Sequence, residues 1–353
     1  MELYYYGLTD TGNLRDNNED YLFAGKLKKD EYLFIVADGM GGHEAGEVAS
    51  RKAVSMFVRQ LEQEKNITSN ENSTYIQESL KRIVIDINDT LIREGSRSHK
   101  KNGMGTTFSA LYIKKNQGYI IHVGDSRIYL FSPSLTHAGN IDASATPVET
   151  SQLTRLTEDH SFVGKLVKDG LITEEEARSH PKRNVLFQSI GIKKDITIQT
   201  KGPIPIKTGQ KYLVCSDGLH GVVPDNEIEE YLQDKSTAQI AEALVKRAKF
   251  NGGPDNISVI VISTEPDVTI DLPDTVKITT SPPQKRGKNR VWFFILLGLL
   301  VLLLALIIYI LLMTNGPKPS PPPTIPQKDI TQTKKPIGTD VQGSEAGNQI
   351  TNR

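Results

Sequence analysis

The sequence predicts an α+β fold, a sandwich of antiparallel sheet with helices packed outside, followed by a single membrane-spanning helix. Three observations carry this. Short β-branched or aromatic runs bounded by turn residues recur through the first three quarters of the chain. Two long helical periodicities follow one another instead of alternating with strands, which argues against βαβ units. Residues 291–313 form one uninterrupted apolar run.

Strands are expected over Tyr32–Ala37, Thr106–Ile113, Tyr119–Val123, Arg127–Phe131, Ile196–Thr200, Tyr212–Cys215 and Ile257–Ile262. One helix is expected where Ala45, Val48, Ala49, Ala53, Met56 and Phe57 share a face, and a second where Ile76, Leu80, Ile83, Ile87 and Leu91 repeat it. The pattern places a folded domain over residues 1–264. From 265 to 290 apolar periodicity gives way to proline and charge, as in a flexible basic linker.

The run at 291–313 reads as a transmembrane helix: at about 1.5 Å per residue it spans roughly 34 Å, enough for a hydrocarbon core of about 30 Å. Trp292 and Tyr309 lie near its ends, where amphipathic rings prefer the interface. Lys285, Arg286, Lys288 and Arg290 crowd one flank and only Lys318 lies close on the other, so the large N-terminal part is expected in the cytoplasm at the cell membrane. Residues 314–353 are proline-rich and poor in aromatics, an extracytoplasmic tail expected to be disordered. The lone cysteine, Cys215, permits no internal disulfide and fits a reducing compartment. Lys+Arg and Asp+Glu both total 42, a neutral balance that gives no field for nucleic acid.

Aspartates cluster at the ends of apolar strands: Asp38-Gly39, Gly124-Asp125, Asp217-Gly218 and Asp255-Asn256. Any one of them reads as a turn residue bonding nearby amides. Four together, with few basic neighbours, read as one shared cation site. Carboxylates without Cys or His spacing select hard cations, Mg²⁺ or Mn²⁺, and Gly39 lets its carbonyl approach an ion closely. Arg15, before Asn17-Asn18-Glu19-Asp20, is either a binder of an anionic substrate or a surface ion pair with Glu19 or Asp20.

Several motifs fail. His43-Glu44-Ala45-Gly46-Glu47 lacks the second His of a zinc protease helix, and Glu47 stands where a phosphate loop needs Lys. Gly221 occupies the arginine position of a cysteine phosphatase built on Cys215, and Gly124-Asp125-Ser126-Arg127 is no serine nucleophile elbow.

RDNNED at 15–20, ADGMGGHEAGEVAS at 37–50, GMGTT at 103–107, GDSR at 124–127, TEDHS at 157–161, CSDGL at 215–219 and GGPDN at 252–256 together resemble the bacterial type 2C metal-dependent protein phosphatases. The resemblance covers nearly all of residues 3–264. It implies a four-layer α/β/β/α sandwich of two antiparallel sheets and a two-ion Mn²⁺ or Mg²⁺ centre, with Asp38 bridging, the Gly39 carbonyl on one ion, and Asp217 and Asp255 on the other. It further implies Asp125 at a third, weaker site, Arg15 on the substrate phosphate, and Glu19, Asp20 and Asn256 in support. The implied reaction is attack of a metal-bridging hydroxide on phosphoserine or phosphothreonine in proteins, opposing a bacterial serine/threonine kinase. Met40 follows Asp38-Gly39 where some relatives carry His, which leaves the leaving-group acid unassigned. Residues 159–190 correspond to a flap beside the cleft. A catalytically dead scaffold and a hydrolase of small phosphate esters are the competing readings; retention of Asp38, Asp217 and Asp255 speaks against the first, the flap against the second.

Overall fold

The computed structural model describes residues 1–41, 44–64, 67, 71–97, 103–133, 152–233 and 235–267, together with 302–304, 306, 307 and 309. The chain divides into two units, 1–284 and 285–353. In the first, the strands are β1 (Tyr4–Asp10), β2 (Asp20–Lys28), β3 (Glu31–Met40), β4 (Gly105–Thr106), β5 (Phe108–Lys114), β6 (Gln117–Val123), β7 (Arg127–Ser132), β8 (Gln152–Arg155), β9 (Gln199–Pro205), β10 (Lys211–Cys215) and β11 (Ile257–Ser263). The helices are α1 (Glu44–Gln63), α2 (Ser73–Ser96), α3 (Phe162–Lys168), α4 (Glu174–Ser179), α5 (Asp217–His220), α6 (Asp225–Tyr231) and α7 (Thr237–Phe250).

Two antiparallel sheets form, ordered β1-β11-β10-β7-β8 and β2-β3-β5-β6-β9, with β4 paired to β3. Strand periodicity of two makes the layers. On β3, Tyr32, Phe34 and Val36 face the other sheet, while Leu33, Ile35 and Ala37 face α1 and α2. On β10 and β11, Tyr212, Val214, Ile260 and Ile262 meet them between the sheets, and Leu213, Cys215, Val259 and Val261 turn out to α7. Both faces of these strands are covered, so they read as continuous apolar runs. Side chains such as Phe34, Leu33 and Val261 are fully buried, each contributing about 1.5–3 kcal/mol. The sandwich therefore has four layers, as the resemblance implies.

The differences in detail have physical causes. The strand expected over Ile196–Thr200 starts instead at Gln199, because its partner β6 ends just past His122, the residue opposite Gln199. Ile196 and Ile198 remain apolar because they pack on the helix-side core. The strand expected from Thr106 breaks at Thr107, whose N–H donates to the Asp38 carbonyl at 2.8 Å. The outer helices against β10 and β11 carry signals the two-helix reading passed over. Ser236 and Gln239 form a capping box before Ile240, Ala241, Leu244, Val245 and Ala248, all buried on one face of α7.

In the second unit Leu302, Leu303, Leu304, Leu306, Ile307 and Tyr309 are helical and exposed. Among the described residues no helix is long and apolar enough to cross a membrane. The rest of the span expected at 291–313, most of the 265–290 linker and the 314–353 tail lie outside the described residues.

Candidate active site

Strand ends from both sheets bring the predicted residues to one cleft. Asp38 ends the core part of β3, Asp125 follows β6, Asp217 opens α5 after β10, and Asp255 precedes β11. A cavity of ≈ 690 Å³ is lined by all four, by Arg15, Glu19, Gly39 and Asn256, and by Asn184 and Ile192 from the flap side. Asp20 lies behind this surface, 5% exposed and directly opposite Asp38 in the β2–β3 register. Among the described residues lining the cavity there is no histidine. His43 lies outside the described residues.

The carboxylates are held as a stressed set. Burial, then the charges of Asp20 and Asp217, raise the Asp38 carboxyl well above its ordinary value. Burial and Asp217 do the same to Asp125. Asp217 is pushed up to about 6 by burial and Asp255. Asp20 rises to about 7, again through burial, although Ser216 Oγ donates to its Oδ2 at 2.7 Å. The Oδ1 atoms of Asp20 and Asp217 are buried with no hydrogen-bond partner. Among the described residues no three His, Cys, Asp or Glu side chains are gathered tightly enough to hold an ion as they stand. The chemistry nevertheless fits a hard cation: the donors are all oxygen, two are buried and orphaned, and mutual repulsion is what a divalent charge relieves.

Arg15 takes neither partner expected of a surface pair. Its Nη2 donates to Asp255 Oδ2 at 2.7 Å, across 240 positions of sequence, and Asp255 holds its pKa up against the effect of burial. The loop that carries it is pinned by Asn256. Asn256 Oδ1 accepts from the Glu19 N–H at 2.8 Å, and its Nδ2 donates to the carbonyls of Thr11 and Asn17 at 3.0 and 2.9 Å. Gly39 and Gly46 allow the backbones here to touch. A Cβ on Gly39 would lie 2.2 Å from the Gly46 carbonyl, and one on Gly46 2.1 Å from Glu19 Oε2.

Sequence reasoning missed the hydroxyls that fix the strand ends. Thr107 Oγ1 accepts from the Asp38 N–H at 2.9 Å and lies 2.8 Å from Ser126 Oγ. Ser216 Oγ braces Asp20 and accepts from the Ser258 N–H at 3.0 Å. Ser126 and Ser216 carried a signal, adjacency to Asp125 and Asp217 in GDS and CSD, whereas Thr107 has no aspartate beside it in sequence.

It also left Arg127 without a role. This guanidinium, with 8% of its side chain exposed, donates to Asp159 from Nε at 3.0 Å and Nη2 at 2.7 Å, and reaches Glu174 at 3.3 Å and the Tyr129 hydroxyl at 3.0 Å. The charge beside Asp125 is thus spent on the flap, which comprises α3 and α4 within residues 159–190. Asp159, buried but paired, is held down to about 2.

Fold and site together define an acidic cleft at the strand ends of two antiparallel sheets, suited to hard cations and an anionic substrate. The pattern of the protein phosphatase 2C family matches residues 14–251. The serine/threonine phosphatase Stp of Listeria monocytogenes is 35% identical over 259 residues, covering 73% of this chain and 94% of that protein. PstP of Mycobacterium tuberculosis is 34% identical over 262 residues, 74% of this chain and 45% of its own length. The crystal structure of the M. tuberculosis phosphatase PstP superposes with TM-score 0.60 at 34% identity, covering 75% of this chain and 99% of that one. The PstP catalytic domain in complex with two manganese ions superposes with TM-score 0.58 at 32% identity, covering 74% and 97%. The chain belongs to the protein phosphatase 2C family and is a metal-dependent serine/threonine protein phosphatase.

Proposed function

We propose that the chain hydrolyses phosphoserine and phosphothreonine in proteins at the cleft between the sheet ends, with two Mn²⁺ or Mg²⁺ ions held by Asp38, the Gly39 carbonyl, Asp217 and Asp255. The observation that carries this is the gathering of Asp38, Asp125, Asp217 and Asp255 around one cavity that Arg15 also lines. Asp125 serves a third, weaker ion. Bound divalent cations supply Lewis acidity, acidifying a water and offsetting charge on the phosphoryl oxygens.

The chain's own residues do the rest. Arg15 presents a planar guanidinium fork, matched to two phosphate oxygens, from a wall where its side chain is half-exposed. Its contact with Asp255 sets its starting position beside the ion site. Asn256 fixes Glu19 and the loop bearing Arg15, so the phosphate is oriented before reaction. Asp20, braced by Ser216 and opposite Asp38 in the strand register, supports the ion-binding carboxylates from behind the cleft surface. Asn184 and Ile192 narrow the opening towards the flap and admit a polypeptide side chain.

The apolar run at 291–313 anchors this unit to the cell membrane with the catalytic part in the cytoplasm, through a flexible linker that raises its concentration near membrane-bound phosphoproteins, a serine/threonine kinase among them. The full chain is expected to release phosphate from a phosphothreonine peptide with Mn²⁺ or Mg²⁺ and to stop when EDTA is added. Asp38→Ala should abolish the reaction. Hydrolysis that persists in EDTA, or that survives Asp38→Ala, refutes the assignment. Carbonate-resistant sedimentation with membranes, lost on deleting 291–313, tests the anchor.

A further inference from the structure

A second cavity of ≈ 610 Å³ opens beside the catalytic one and shares its Leu14, Arg15 and Asn184 wall. Its outer side is the flap, where Arg178 and Arg183 stand at the lining. Charge accounting sets these two apart from the other arginines of the cavity. Arg15 is matched to Asp255 at 2.7 Å and Arg127 to Asp159 at 2.7 Å. Glu174 is shared by Arg127 at 3.3 Å and Arg155 at 2.8 Å. Asp125 and Asp217 line the end common to both cavities and belong to the cation centre. Arg178 and Arg183 form no ion pair and no side-chain hydrogen bond among the described residues. The unmatched charge on the flap wall is therefore positive.

That wall is also fixed. Helix α4 is closed at its start by the Thr173–Glu176 capping box, buries Ala177 and is tied to the sheet through Glu174. Arg178 projects from this anchored turn. Arg183 follows in a turn whose N–H donates to the His180 carbonyl at 3.1 Å.

We propose that the second cavity is a substrate subsite in which Arg178 and Arg183 bind an acidic side chain of the phosphoprotein, a few residues from the phosphorylated serine or threonine. This rests on the phosphoprotein phosphatase reading of the neighbouring cleft. It makes the enzyme selective for phosphosites in acidic surroundings. The pair is solvent-accessible, so its effect is modest and screened by salt.

The experiment compares three phosphothreonine peptides on the full chain with Mn²⁺, carrying Asp, Ala or Lys two and three residues from the phosphothreonine, on either side. The wild type is expected to favour Asp over Ala by about three- to fivefold in kcat/KM, a ratio shrinking in ~0.5 M salt. Arg178→Gln with Arg183→Gln brings the Asp/Ala ratio towards one, and Arg178→Glu with Arg183→Glu turns the preference to Lys. Because each ratio is internal to one protein, a partly misfolded variant still reports it, and exposed Arg183→Gln alone should lower it in the same direction. An unchanged ratio in the double variants, or a wild type indifferent to Asp, overturns the subsite while leaving the phosphatase reading standing. Cleavage of aryl phosphate with no phosphopeptide cleaved overturns both.

Discussion

Arg127→Met is expected to destabilise the folded chain by about 3 kcal/mol at pH 7, because it leaves the buried Asp159 carboxylate without its cation. Asp159 and Arg127 have 6% and 8% of their side chains exposed, so water cannot replace the lost partner. Two estimates bracket the cost. A carboxyl held at about 2 instead of 3.8 favours the folded anion by roughly 2.5 kcal/mol, and breaking a buried pair from one side costs about 3–5 kcal/mol. Glu174 and Asp225, the other neighbours, are 36% and 40% exposed and rely on solvent instead. Since the folded value lies below the unfolded one, this stabilisation is complete above the unfolded value and is lost as pH falls through about 2. In the variant the sign reverses: unpaired, Asp159 titrates upward, and acidification from pH 7 to 5 narrows the deficit. Urea unfolding followed by circular dichroism measures both, and thermal melts should show a Tm loss of about 6–12 °C at pH 7. Arg127→Met with Asp159→Leu should regain most of the loss, as neither charge is then buried alone. A single-variant loss under about 1 kcal/mol, or a double variant no better than the single, refutes the buried-charge argument.

Asp38→Asn should abolish phosphatase activity yet raise metal-free stability by roughly 1–2 kcal/mol, since it removes one of several buried, mutually repelling carboxylates; a metal-free Tm unchanged or lowered contradicts this. Gly46→Ala puts a Cβ 2.1 Å from Glu19 Oε2 and 2.9 Å from the Gly39 backbone, and is expected to cost about 1–3 kcal/mol and a larger share of kcat/KM. Wild-type activity in that variant would refute the close approach. Burial lowers His122 to about 4, so the unfolded chain takes up its proton first and stability falls as pH drops from about 6.5 towards 4, at up to roughly 1.4 kcal/mol per pH unit. The slope should flatten in His122→Gln, and an identical slope in the variant removes His122 as its source.

The helices α1 and α2 were legible because their apolar faces recur at helical spacing, and most central strands because they are unbroken β-branched runs. Strands β1 and β2 were not. Every residue of β1 is only half-buried, and Gly25 and Lys26 interrupt β2, so their pairing with β11 and β3 supplies what local pattern lacks. The aspartates were legible as a set because each sits where an apolar strand meets a turn.

By itself the sequence determined the two-faced burial of the central strands, the long inner helices, the acidic oxygen donors and the apolar run at 291–313. These are local properties, carried by composition and period. Which charges neutralise one another was decided only by tertiary structure. Arg15 meets Asp255 rather than its neighbours Glu19 and Asp20, and Arg127 turns from Asp125 to Asp159. Ion pairing depends on distance in space and on how much water remains between the groups, and sheet registers joining residues 240 positions apart set both.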